Sequence, residues 1–386
     1  MRTSIRARVG LKAGDHVGLA YTTLAPVDQG GKVPDDDKES WLANLGDIAI
    51  APDYRAHVEA WIASFAHTSA RMFTLTLDTR LLIGHGNASG TDVGLTVHHT
   101  WGVPIVPGAA LKGMLAHHVA STYGSDPSVT TLDSAHDPWR GVGYCVTAIS
   151  RGPGELYRAL FGAPDADDDH ITGAPGATRG YIVFHDALYI GVAAPVVREV
   201  IASAPGVISP APDSTRPFTA DTLTVHQKSY YNDRGKSEPC DHDDPNPVGF
   251  LTVRPKAQFI AVLEGPPDWT ALAGQLLRES LAHRGIGGKT TSAYGRATLT
   301  DARAPAPPPS AAVAELSAWL EAHKAIAQRE RLARIRDERL ERLRALSDGD
   351  RAAAAAAIRR AINSPRLKEQ VDALCAELRA AASAAE

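Results

Sequence analysis

The chain has 386 residues, 44% of them hydrophobic, enough for one large core or two smaller ones. Its 40 Lys and Arg against 44 Asp and Glu give a formal net charge of -4. That excludes a globally basic nucleic-acid coat and confines any nucleic-acid contact to a local patch. Cys145, Cys240 and Cys375 lie far apart, with no CxxC and no disulfide framework, as suits a reducing compartment. The charged start MRTSIRARVG lacks the apolar run of a signal peptide. No stretch reaches the roughly 20 apolar residues of a membrane helix. A cytoplasmic protein without membrane association is expected.

Residues 1 to about 50 read as irregular, with an acidic run PDDDKES from Pro34. The stretch YRAHVEAWIASFAHTSARMF reads as a helix, with Val58, Trp61, Ile62 and Phe65 on one face. In RMFTLTLDTRLLIG, Phe73, Leu75 and Leu77 alternate with Thr74, Thr76 and Asp78, the pattern of a half-buried strand. WGVPIVPGAALKGMLAHHVASTYG reads as a short extended piece, a Pro-Gly turn and a helix from Ala109 or Ala110. Residues 124–180 read mostly as loop, with one or two helical turns in GELYRALFG. RGYIVFHDALYIG reads as a strand, residues 205–225 show no clear pattern, and HQKSYYNDRGKSEPCDHDDPNP reads as an exposed excursion.

VGFLTVRPKAQFIAVLEG alternates as a strand with a hairpin around Arg254 to Lys256. PPDWTALAGQLLRESLAHRG reads as a helix with Asp268 as N-cap and Trp269, Leu272, Leu276 and Leu277 as its stripe. Gly285 stands where the glycine that ends a helix belongs. RATLTD is a final strand. This order suits an α+β fold with a ferredoxin-like sheet, helices on one face and large insertions. Residues 1–68 form an N-terminal part of that domain and 69–301 its core. Residues 302–310 are a Pro-rich linker, and 311–386 a helical extension. In the extension Leu332, Ile335, Leu340 and Leu343 make a stripe, with Glu330–Arg334 and Glu338–Arg342 spaced as ion pairs. A second helix spans roughly 350–362, and Ser364–Pro365 opens a third.

The segment HRGIGGKTTSAYGRATL contains GKT, yet it is not a phosphate-binding P-loop. The first glycine of that motif would fall at His283, and here a helix precedes the turn and a strand follows it, the reverse of the required order. What remains is a helix-to-strand turn carrying Arg284, Lys289, Tyr294 and Arg296. Gly285, Gly287 and Gly288 allow positive φ and close backbone approach. Successive N–H groups in such a turn can hold an anion, and its cations and tyrosine suit an RNA backbone and an unstacked base. A turn that only docks the helix on the sheet is the plain alternative.

VPIVPGAALKGMLAHHVA resembles the PGSSLKG-type motif of the RAMP superfamily of CRISPR effector subunits, and GIGGKTTSAYGRATL resembles that superfamily's C-terminal glycine-rich loop. LFG with GYIVFHDALY, TVHQKSYYND and NPVGFLTVRPKAQFIAVL are similar to the sixth RAMP subunit of the Cmr (type III-B) module. The resemblance covers roughly residues 70–300. It implies a ferredoxin-like, RRM-related RAMP fold. It also implies a non-catalytic subunit with no cofactor or metal, bound at the 3′ end of the guide RNA (crRNA). The expected partners are other Cmr RAMP subunits and the small helical subunit, with target RNA met only indirectly. The implied RNA-binding residues are Gly108, Lys112 and Gly113 in the first motif, and Arg284, Gly285, Gly287, Gly288, Lys289, Thr290, Tyr294 and Arg296 in the second. Ala109–Ala110 replace the hydroxyl-bearing pair of the family pattern, and the helical extension lies outside it.

Other signals carry alternatives. Lys228, Tyr230 and Tyr231 combine charge with stacking surface and are candidate RNA contacts, or else pack on a sheet edge. His98 or His99 would be the acid or base of a stand-alone RAMP endoribonuclease that processes guide precursors. His85, His117 and His118 add to the histidine count, and partly buried structural histidines are the plainer reading. Cys240 with His242 lacks two further zinc ligands, and Asp165, Asp167, Asp168 and Asp169 read as a solvated loop. A third reading is an assembly protein without RNA contact of its own, joined through the helical extension.

Overall fold

Helices begin earlier than the sequence pattern suggests. The computed structural model describes residues 16–66, 68–87, 93–124, 137–145, 148–164, 177–191, 215–225, 227–239, 246–302 and 310–380. Helices α1 (Val17–Thr22) and α2 (Asp35–Gly46) occupy the stretch read as irregular. The acidic run explains α2. Asp35, Asp36 and Asp37 form its first turn, where carboxylates meet the positive end of the helix dipole. Trp41, Leu42 and Leu45 bury its other side. α3 (Tyr54–Ala63) buries Val58 and Ile62 as the 3- and 4-residue spacing requires.

The chain then runs through β1 (Ala70–Leu77), β2 (Ile105–Val106), α4 (Gly108–Thr122), β3 (Gly143–Cys145), β4 (Ala148–Arg151), α5 (Glu155–Phe161), β5 (Gly162–Ala163), β6 (Thr178–Arg179), β7 (Val183–Phe184) and β8 (Ala187–Tyr189). β9 (Phe218–Val225), α6 (Lys228–Asn232), β10 (Asn246–Val253), β11 (Gln258–Glu264), α7 (Pro267–His283) and β12 (Ala297–Ala302) follow. The main sheet is antiparallel in the order β12-β1-β11-β8-β2, with β7 also on β11. Separate two-stranded sheets pair β9 with β10, β3 with β4, and β5 with β6.

β1 is an interior strand of the main sheet, with Leu75 opposite Phe259 on one side and Leu299 on the other. Thr74 and Thr76 are buried, not solvent-facing as the alternation predicts. A strand with neighbours on both edges and cover on both faces buries every residue. The Thr76 hydroxyl accepts a hydrogen bond from Gln258 Nε2 at 3.2 Å, so its burial is compensated. On one face α7 lies close: a Cβ on Gly274 would stand 2.4 Å from the Phe73 ring. Trp41, Leu42, Tyr54, Val58 and Ile62 of α2 and α3 share the same hydrophobic core.

The turn at Arg254–Lys256 exists, with Lys256 at φ 65°, but it does not close a hairpin. β10 pairs with β9, and β11 with β1 and β8, so the turn is a corner between two sheets. The strand read in RGYIVFHDALYIG is two short pieces broken at His185–Asp186. β9 lies wholly in the stretch without sequence pattern. Asp268 is inside the first turn of α7 and makes no cap, because Pro267 already occupies the first helical position. Gly285 follows the C-cap Arg284 with φ 74°.

The chain divides into two compact units, residues 1–305 and 306–386. The second is helical: α8 (Ala311–Ala322), α9 (Gln328–Arg334), a π turn over Ile335–Arg339, α10 (Leu340–Arg344), α11 (Asp348–Ala361) and α12 (Lys368–Ala380). Leu316, Leu332, Ile335, Leu343, Ile358 and Leu374 form its core. Glu330 pairs with Arg334 at 2.7 Å, whereas Arg342 reaches Glu315 at 3.1 Å, not Glu338. Ser347 caps α11 by accepting from the Asp350 amide. Among the described residues no helix is long and apolar enough to cross a membrane.

Candidate RNA-binding surface

The first motif opens α4. Pro107 precedes it and Gly108 is its first residue. A Cβ on Gly108 would lie 2.0 Å from the Phe184 carbonyl oxygen, so this glycine lets the helix press against β7. Its amide donates to Asp186 Oδ1 at 2.8 Å, which takes up one of the open N–H groups of the helix start. Lys112 is exposed on the next turn, and beside it Gly113 faces open space. A cavity of about 340 Å³ lies here, lined by Gly108, Lys112, Phe161, Arg179 and Phe184 among others. Lys112 and Arg179 have no acceptor or counter-ion among the described residues. Phe161 and Phe184, which line the same cavity, stack on each other at 6.3 Å. Cations, a helix N-terminus and aromatic rings together have the chemistry that a phosphate and an attached base require.

The second motif is the turn from α7 into β12. Gly285, Gly287 and Gly295 have φ of 74°, 87° and 69°. Gly288 does not; Lys289 takes the left-handed conformation in its place, at φ 55°. Most of the glycines serve chain crossings. A Cβ on Gly295 would stand 1.8 Å from the Ile286 carbonyl oxygen, and one on Gly287 2.4 Å from that of Leu82. The Gly295 amide donates to Arg80 O at 2.8 Å and the Gly288 amide to Leu82 O at 2.7 Å.

Three of the proposed RNA contacts in this turn have internal partners. Arg296 Nη1 donates to the Ala282 and His283 carbonyls, closing the C-terminus of α7. Arg284 donates from Nε to His118 Nδ1 at 3.2 Å and from Nη2 to Ser121 Oγ, tying the turn to α4. The Tyr294 hydroxyl donates to Asp221 Oδ2 at 2.7 Å, and Arg80 pairs with Asp221 Oδ1 at 2.7 Å. Burial first, then the bond to Asp221, pushes the Tyr294 phenol up to about 12. Tyr294 is therefore a strut between this turn and β9.

What the turn leaves open is the stretch from Lys289 to Thr291. Lys289 is left-handed, and Thr290 begins a tight right-handed turn (Thr290–Ser292). Among the described residues the amides of Lys289, Thr290 and Thr291 have no acceptor, nor has the Lys289 ammonium a counter-ion. Alternation of hand with adjacent open N–H groups is the geometry of an anion nest. The two motifs are not adjacent. Arg284 meets α4 at His118 and Ser121, nine residues beyond Lys112 at its furthest, roughly 14 Å along the helix at 1.5 Å per residue.

Tyr231 is 66% exposed and Tyr230 half-buried, at 5.3 Å from each other on α6, which also carries Lys228. This excursion follows β9 and is separate in the chain from both motifs. Arg179, which sequence reasoning missed as a contact, opens the stretch RGYIVFHDALY; an arginine beside a glycine at a strand start was the available signal.

Two of the candidate histidines have a lowered pKa. Burial first, then nearby His57, lowers the pKa of His98, whose ring meets that of His57 at 5.2 Å. Its Nδ1 accepts from the Thr100 amide at 3.2 Å. His99 offers its carbonyl to His16 Nε2 at 2.7 Å. His118 is buried, and its pKa is lowered by burial before all else. Among the described residues no histidine lines the cavity at α4. Cys240, His242 and the aspartates at 165–169 lie outside the described residues. Among the described residues no group of three or more His, Cys, Asp or Glu could hold a metal.

The chain matches the RAMP superfamily over residues 74–298, more than half its length, and belongs to it. It is similar to CRISPR system Cmr subunit Cmr6 of Pyrococcus furiosus, 25% identical over 246 residues. That match covers 56% of this chain and 64% of the relative. Among solved structures, a chain of type III-B Cmr-beta bound to cognate target RNA aligns at TM-score 0.40 and 15% identity, covering 65% of this chain and 66% of that one. The crystal structure of Cmr6 from Pyrococcus furiosus aligns at TM-score 0.28 and 20% identity, covering 59% of this chain and 97% of that one.

Proposed function

We propose that this chain is a Cmr6-like, non-catalytic subunit of a type III-B CRISPR effector complex, binding guide RNA by its phosphates. The observation that carries the reading is the pair of open cationic sites within the two RAMP motifs. One is Lys112 with Arg179 at the start of α4, the other Lys289 with three open amides. Neither site presents a sequence-reading array, and phosphate contacts accept any guide. The ferredoxin-like reading is supported by the strand order β12-β1-β11-β8, with α4 between the first and second of these strands in the chain and α7 between the third and fourth. The non-catalytic reading is supported by the burial of His118 and by the His98 ring, whose Nδ1 accepts from the Thr100 amide. The partners are the other Cmr RAMP subunits and the small helical subunit.

The test is guide-RNA binding over a salt series. Lys112→Ala with Lys289→Ala weakens binding and flattens the slope of log K against log salt by about one per contact removed. Arg179→Ala adds to the effect. An unchanged slope counts against the reading, as does metal-independent cleavage of repeat RNA that is lost in His98→Ala.

A further inference from the structure

The helical unit lies outside the RAMP match and contains a charged cavity of its own. The cavity, about 550 Å³, is lined by Leu320, Glu321, Lys324, Arg331, Arg360 and Asn363 among others. Arg331, on α9, is only 5% exposed. Its Nε has no hydrogen-bond partner, and among the described residues its guanidinium has no counter-ion. Nearby carboxylates are engaged elsewhere: Glu321 with Lys324 at 2.8 Å and Glu330 with Arg334 at 2.7 Å. Arg360, on α11, is exposed and likewise without a partner among the described residues. Gln328 and Asn363 brace the rim, with Gln328 Nε2 donating to Asn363 Oδ1 at 3.1 Å and Oε1 accepting from the Ser364 amide at 2.9 Å.

A guanidinium this buried is stable only when paired. Among the described residues nothing pairs it, and the cavity it lines also carries Arg360, likewise without a partner there. We infer that this cavity is a docking site for an acidic peptide segment of a protein partner, with Arg331 receiving a Glu or Asp carboxylate through its two-pronged face. Leu320, Ala357 and Ala361 supply an apolar wall for the methylenes of such a side chain. A nucleic-acid strand fits less well. Acidic residues are interspersed with the basic ones along the unit, with Glu or Asp beside Arg at Glu330, Asp337, Glu338 and Glu341, so no continuous basic track follows a phosphate backbone. The inference does not depend on the RNA reading of the other unit.

The experiment uses the full chain and a short fluorescein-labelled peptide alternating Glu and Leu, with its Gln-for-Glu counterpart as control. The Glu peptide binds and the Gln peptide does not. Arg331→Met weakens binding by about tenfold or more. The same variant raises Tm by a few degrees, because it replaces an unpaired buried charge with an apolar side chain of similar length. Arg360→Ala weakens binding without moving Tm. Three results overturn the inference. A lower Tm for Arg331→Met shows that the chain itself already pairs the guanidinium. Equal binding of the Gln peptide removes the carboxylate from the recognition. Displacement of the Glu peptide by inorganic phosphate or oligouridylate more readily than by free glutamate assigns the cavity to phosphate.

Discussion

The two RAMP motifs look alike in sequence, each a lysine among glycines, but they use those residues differently. At the start of α4, one glycine packs against β7 and the other, Gly113, faces open space. In the turn after α7, Gly285, Gly287 and Gly295 are consumed by crossings with neighbouring backbone. The cations divide in the same way. Arg284 and Arg296 hold the turn to the helices, while Lys112 and Lys289 have no partner among the described residues. A short motif thus interleaves residues that hold the local structure together with residues that are left open.

Breaking that contrast starts with the crossing residue. Gly295→Ala places a Cβ against the Ile286 carbonyl at φ 69° and lowers stability by about 3 kcal/mol or more, measured by chemical denaturation. The link between the motifs gives a smaller, pH-dependent effect. Burial, with Arg284 adding to it, holds His118 below its ordinary 6.5 in the folded protein. The unfolded chain then binds more protons below pH 6.5, so stability is full above that value and falls as pH drops towards the folded pKa. His118→Gln flattens this acid-side fall, read from urea unfolding at pH 5 and pH 7. The smallest effect has the opposite sign. Gly113→Ala, in an exposed helix interior with free space around it, raises stability by about 0.5–1 kcal/mol. If Gly113→Ala also weakens guide-RNA binding, that glycine is kept for the close approach of RNA.

Much of the core was legible as local pattern. The spacing of Val58 and Ile62 located a helix, and the alternation at Phe73, Leu75 and Leu77 located a strand. What the pattern could not carry was partnership. Thr74 and Thr76 look solvent-facing until β11 and β12 flank them and Gln258 satisfies a hydroxyl. The stretch from Val248 to Glu264 reads as one hairpin because alternation records faces and not neighbours. The acidic run at Asp35 reads as loop by polarity, though it is a favourable helix start. In the candidate site the unusual turn was visible from its glycines. Which of its cations would be spent on carbonyls at the end of α7 depended on a chain reversal that no spacing announces.

The place of β1 inside the sheet has a consequence for how the chain is made. β1 is complete by Leu77, yet its two partners begin only at Gln258 and Ala297. At synthesis rates of about 5–20 residues per second, roughly 10–35 seconds pass between the emergence of β1 and that of its first neighbour. Throughout that interval β1, with six of its eight residues buried in the folded protein, is without either partner. Shielding of Phe73, Leu75 and Leu77 while the other end of the sheet is translated is therefore expected to affect yield in the cell.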